Sequence, residues 1–157
     1  MPNELYLVRL IHQQTRQAFP GERPWTATQL GSAATVRFLR DRNREGCDVY
    51  LQPYAGDQNA GYILLDLDRV PPAVIATMRG QGHDPSVVLQ TSPGHLQAWI
   101  RLCACPLEPA LATAASKLLA LTYGGDPAST DWRHLGRLAG FTIRSPRGAH
   151  RPATLRG

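Results

Sequence analysis

Apolar and polar positions in this chain alternate with two different periods, and proline and glycine mark most of the changes between them. Leu5, Val8 and Ile11, followed by Gln14 or Thr15, recur at helical spacing, which predicts a helix from a cap at Asn3 to about Phe19, broken by PGERPW. Thr26 or Thr28 opens a second helix through about Asn43, and Gly46 closes it. CDVYLQPY and GYILLDLD are strand-like runs joined by AGDQNA, which predicts a hairpin. Pro71 and Pro72 start a short helix through Met78. The clearest hairpin is VVLQTSPGHLQAWIRL, two strands about the turn at Ser92, Pro93 and Gly94. Pro109 suits the first position of an amphipathic helix that ends at Gly124 and Gly125. PASTDWRHLGRL reads as another helix, AGFTI as a last short strand, and the basic remainder as a mobile tail. Helices mixed with antiparallel hairpins make the fold class α+β. Trp25, Trp99 and Trp132 are expected to pack in the core.

Composition adds bounds to this picture. A chain of 157 residues suits one compact domain with a frayed tail, divided here as 1–145 and 146–157. No run approaches the length of a membrane-spanning helix, and the N-terminus carries Glu4 and Arg9 where a secretory signal would be apolar, so a cytoplasmic protein without membrane association is expected. Cys47, Cys103 and Cys105 lack the paired spacing of a zinc site, and Cys103 and Cys105 are expected as buried free thiols. Walker-type glycine loops, GxSxG and His/Cys metal spacing are absent, which leaves ATPase, serine-hydrolase and zinc-enzyme chemistry without support.

Charge points toward a polyanion. The formal net charge is +5, and every basic residue except Lys117 is arginine, whose planar fork suits phosphate. RFLRDRNR at 37–44 forms one cluster. After Asp131 no acidic residue follows, while Arg133, Arg137, Arg144, Arg147, Arg151 and Arg156 do.

Against this basic background stands the pair Asp66 and Asp68. In a strand, residues i and i+2 share a face, so two like charges would sit side by side. Such a pair either lies in solvent at a strand end or shares a counter-charge such as a metal ion.

Three separated pieces, DLD at 66–68, SPGHLQAW at 92–99 and GGDPASTDWRHLGRLAGF at 124–141, occur in an order and spacing that resembles the archaeo-eukaryotic primase superfamily, and most closely the RepB-type primases of plasmids and mobile elements. The resemblance implies a catalytic core with an RRM-like antiparallel sheet and flanking helices. It further implies a DNA primase that makes short primers on single-stranded DNA from nucleoside triphosphates, by nucleotidyl transfer with two Mg2+ or Mn2+ ions. Asp66, Asp68 and Asp126 match the carboxylates that hold the metals, with Asp131 as a competing candidate for the third. Ser92, Gly94, His95, Gln97 and Arg137 match the nucleotide-binding positions; Gln97 stands where the superfamily typically has histidine. Arg144, Arg147 and Arg151 are expected on template phosphates. The superfamily pattern implies a trailing helical domain or a replicative helicase as partner. A non-catalytic single-stranded nucleic-acid-binding module and a metal-dependent nuclease remain open on the same residues.

Overall fold

The computed structural model describes residues 4–144 and 150–156. In chain order the elements are β1 (Leu5–His12), β2 (Pro24–Thr26), α1 (Ala27–Leu30), α2 (Ala33–Arg44), β3 (Cys47–Tyr54), β4 (Tyr62–Asp68), α3 (Val74–Gly80), β5 (Pro85–Ser92), β6 (His95–Arg101), α4 (Pro109–Tyr123), β7 (Gly136–Arg137), β8 (Thr142–Arg144), β9 (His150–Pro152) and β10 (Thr154–Arg156). The fold is α+β with antiparallel sheets, as the pattern implied. It divides into two compact units, one running to Tyr54 and resuming over Leu135–Ala153, the other comprising Ala55–His134 and the chain from Thr154.

In the first unit a sheet runs β2-β1-β3-β7. The helix expected at the N-terminus is instead β1, paired with β3 along its whole length from Leu5↔Tyr54 to His12↔Cys47. LYLVRLI satisfies both periods, and Val8 and Leu10 are the residues it buries. That is a period of two, and the run gains eight residues of ladder from its neighbour. Thr26 caps α1 through a reciprocal box with Gln29, and Ser32 caps α2 by accepting from the Thr35 amide, so the one expected helix is two. Val8, Leu10, Leu39, Cys47, Val49 and Phe141 form the core of this unit.

The second unit holds the sheet β10-β5-β6-β4. The β5–β6 hairpin forms where expected, but β3 and β4 do not pair with each other: β3 lies between β1 and β7, and β4 pairs with β6. Buried Asn59 explains the parting of the two strands. Its amide donates to the Tyr62 and Trp132 carbonyls and its oxygen accepts from the Gly61 amide, which fixes the start of β4 away from a tight turn. Ile63, Leu65 and Leu67 of β4, with Leu96, Ala98 and Ile100 of β6, turn one face toward α3 and α4 and form the larger core with Met78, Leu119, Ala120 and Tyr123.

Three further expectations change. PASTDWRHLGRL makes a single 3-10 turn at Pro127–Ser129 and a short strand, because Asp126 caps only that turn and Asp131 bonds locally to the Arg133 amide and to His134. Cys103 and Cys105 lie beyond β6, half-buried and exposed respectively, with their Sγ atoms 3.7 Å apart. The stretch expected as a mobile tail contributes β9, paired with β8, and β10, paired with β5.

Candidate active site

The site is built on the open end of the β4–β6 ladder. These strands pair antiparallel with Asp66 opposite Gln97 and Asp68 opposite His95. Directly opposed residues share a face, so all four side chains stand together on the side away from Leu65, Leu67, Leu96 and Ala98. Alternation thus lets one pair of strands bury an apolar face against helices while its other face carries the chemistry.

Asp66 is partly buried, and its carboxyl is pushed up to about 6, first by desolvation and then by the charge of Asp68. A hydrogen bond from Gln97 and the charge of His134 act in the opposite direction. Asp68 is exposed, and its Oδ1 lies 2.5 Å from Nδ1 of His95. Gln97 is buried. Its neutral amide can stand against Asp66 without the desolvation cost of a second charge in that position.

Backbone bonds tie neighbouring segments to this strand end. The Arg69 amide donates to the Gly94 carbonyl at 2.7 Å, joining the exit of β4 to the β5–β6 turn. Gly94 has a φ of +78°, which the turn requires and which glycine adopts without strain. Ser92 ends β5 opposite His95. On the other side, the Asp126 amide donates to the Asp66 carbonyl at 2.8 Å. Gly124 ends α4 in the left-handed conformation, and Gly125 passes so close to Ala120 and the Asp66 carbonyl that a Cβ there would lie about 3.2–3.3 Å from them. The GGD stretch therefore brings the backbone of Asp126 against that of Asp66.

The Asp126 carboxylate is engaged locally. It accepts from the Ala128 amide at 2.9 Å and from the Ser129 hydroxyl at 3.2 Å. Among the described residues, no group of three or more His, Cys, Asp or Glu side chains stands close enough to share a metal ion. The expected three-carboxylate set is thus gathered as a pair of side chains with the third attached through its backbone. Asp131 accepts from the Arg133 amide and lies 3.0 Å from His134. His134 is the residue that sequence reasoning missed. Its signal was a histidine three positions after an acidic residue in the same stretch that supplies Asp126.

Arg137 lies in the first unit, on β7. Its guanidinium pairs with Asp48 at 2.7 Å and lies over the Tyr50 ring, 4.3 Å from the centroid. Asp48 is buried and also accepts from Gln13. Arg144 and Arg151 occupy positions on the paired strands β8 and β9, and Arg147 lies outside the described residues.

The second unit thus presents a four-stranded antiparallel sheet with helices against one face and the Asp66–Asp68 pair on the other. The fold matches the AEP domain of cyanophage S-2L primase-polymerase with a TM-score of 0.62 over 98% of this chain and 80% of that one, at 20% identity, a likeness of fold alone. The chain belongs to the RepB DNA-primase N-terminal domain family, whose pattern matches residues 8–153. It is similar to the crystal structure of primase RepB′, with a TM-score of 0.83 and 30% identity over 99% of this chain and 52% of that one. It is equally similar to the catalytic domain of RepB′ in complex with initiator DNA, with a TM-score of 0.82 and 30% identity over 98% of this chain and 77% of that one. Mobilization protein A of Escherichia coli is 36% identical over 122 residues, 78% of this chain and 16% of that protein. The chain therefore spans about half of the RepB′ primase structure and a small part of the mobilization protein.

Proposed function

We propose that this chain is the catalytic core of a plasmid or mobile-element DNA primase, which joins nucleoside triphosphates into short primers on single-stranded DNA. The observation that carries this reading is the Asp66–Asp68 pair on one strand face, with Asp66 raised to about 6 by burial and by its neighbour. Burying one of two adjacent carboxylates is costly unless a cation shares them. Oxygen-only donors suit Mg2+ or Mn2+, so Asp66 and Asp68 would hold the divalent metal. When bound, such ions neutralise the triphosphate and lower the pKa of the attacking 3′-hydroxyl.

The chain's own residues orient the participants. Gln97 donates to Asp66 and thereby favours its charged, metal-binding form. His95 holds Asp68 through its Nδ1 and stands beside the strand end where a phosphate would approach. The β5–β6 turn at Ser92 and Gly94 would offer backbone N–H groups to phosphate. Asp126 would be the third carboxylate of the set, a role that its backbone bond to Asp66 supports. Arg137 would meet the triphosphate, and Arg144, Arg147 and Arg151 the phosphates of the template. The likeness to a RepB′ domain crystallised with initiator DNA supports a DNA partner, and a helicase or a helical domain would complete the priming machinery.

The deciding experiment is magnesium-dependent incorporation of labelled nucleotide on a single-stranded template. Primer synthesis that disappears with EDTA and with Asp66→Asn is expected. Shortening of the template instead would make the protein a nuclease, and binding without turnover a recognition module.

A further inference from the structure

The first unit contains a cavity of about 320 Å³ that the carboxylate site does not use. Its floor is apolar, from Val8, Leu10 and Leu39, and its rim is aromatic, from Phe19, Trp25 and Phe38. Phe19 and Phe38 meet edge to face with centroids 6.4 Å apart, yet each remains about 40% exposed. Arginines accompany these rings. The Arg23 guanidinium stacks 4.1 Å from the Trp25 centroid, and that of Arg42 lies over Phe19 and Phe38 at 5.6 and 5.8 Å. The Arg42 guanidinium pairs with Glu45 at 2.6 Å through one terminal nitrogen, while its Nε is buried with no acceptor among the described residues. One carboxylate reaches the cavity, Glu22, and it is neutralised by a two-pronged ion pair with Arg9.

Exposed aromatic rings under guanidinium groups, beside an apolar recess, form the surface that single-stranded nucleic acids use: phosphates meet the cations while bases stack on the rings. The volume lies at the lower end of small-ligand pockets, which suits one base better than a larger molecule. The flanking helix α2 also carries Arg37 and Arg40, while Arg42 and Arg44 pair with Glu45 and Asp41, so the helix keeps a net positive charge that complements a polyanion. We propose that this cavity takes an unpaired base of single-stranded DNA, anchoring the template on the first unit at a site separate from the carboxylates. The proposal deepens the reading of the chain as a DNA-binding primase core.

The test compares binding of a 12-nucleotide oligothymidine with that of a 12-nucleotide abasic strand carrying the same phosphates, without nucleotides or metal. The wild-type chain should prefer the base-bearing strand by about tenfold or more. Phe38→Ala and Phe19→Ala should bring that ratio toward one while leaving the salt dependence of binding to either strand unchanged, because phosphate contacts remain. A ratio is insensitive to partial unfolding, which lowers both affinities equally. Quenching of 2-aminopurine placed in the oligonucleotide should likewise be lost in Phe38→Ala. A wild-type ratio near one, or variants that keep the wild-type ratio, would overturn the proposal; the second result is also the one expected if the recess receives an apolar side chain of a partner protein. Base preference retained by a protein that incorporates no nucleotide would uphold the cavity and sink the catalytic reading, so the two fail separately.

Discussion

The two units of this chain treat charge in opposite ways. The first carries eleven arginines against five acidic residues, and the second six basic residues against seven acidic ones. Several arginines of the first unit are laid over aromatic rings, where a guanidinium keeps its charge at little desolvation cost. The second unit instead concentrates two carboxylates on a strand end and buries one of them enough to raise its proton affinity. A single net charge of +5 conceals this division. One half carries a surplus of positive charge, and the other presents a negative strand end.

The sharpest way to break the comparison is to remove the acidic pair. Asp66→Asn and Asp68→Asn should each reduce nucleotide incorporation by about 100-fold or more, the scale of a lost electrostatic element in the reaction. Single-strand affinity should stay unchanged. Equal loss of both would mean that the carboxylates serve binding or folding, and the division of labour would collapse.

The next effect concerns the first unit. Arg137→Ala leaves buried Asp48 without its ion pair, and should lower unfolding stability by about 3 kcal/mol in urea titrations. Arg137→Lys should recover part of that. Any effect of these variants on nucleotide affinity is therefore to be read at temperatures where unfolding is negligible.

A smaller change should separate the two acids of the third motif. Asp126→Ala loses the cap on the 3-10 turn and should cost about 1 kcal/mol while lowering transfer, because the lost side chain orders the turn whose backbone bonds to Asp66. Asp131→Ala should leave transfer nearly intact, with His134 released from its partner.

The last prediction tests the electrostatic cost of the pair directly. The folded-state value of Asp66 is raised from 3.8 to about 6, so folding takes up a proton at this group; its contribution favours the folded state below 3.8 and is lost as pH rises through about 6. In EDTA, Asp66→Asn should accordingly stabilise the protein at pH 7.5 by on the order of 1 kcal/mol, a figure discounted for the group's partial exposure, and change nothing at pH 3.5. A variant less stable than wild type at pH 7.5 would show that the pair is not strained.

The sequence by itself determined the motifs whose physics is local. GYILLDLD placed Asp66 and Asp68 on one strand face because strand alternation needs no partner, and the Ser92–Gly94 turn, Pro109 and Gly124 marked the hairpin and the helix for the same reason. The order of DLD, SPGHLQAW and GGD carried the family. Only the tertiary structure decided the rest. LYLVRLI became a strand because β3 offered it a ladder that no helical propensity could match. PASTDWRHLGRL lost its helix to side chains of Asp126 and Asp131 that cap their own turns. Cys103 and Cys105 left the strand, since the ladder partner of β6 begins at Tyr62, opposite Arg101. Trp25 came to line a cavity with Phe19 and Phe38 because residues distant in sequence met there. Burial and pairing are properties of what lies across from a residue, and a single chain read from end to end does not contain that neighbour.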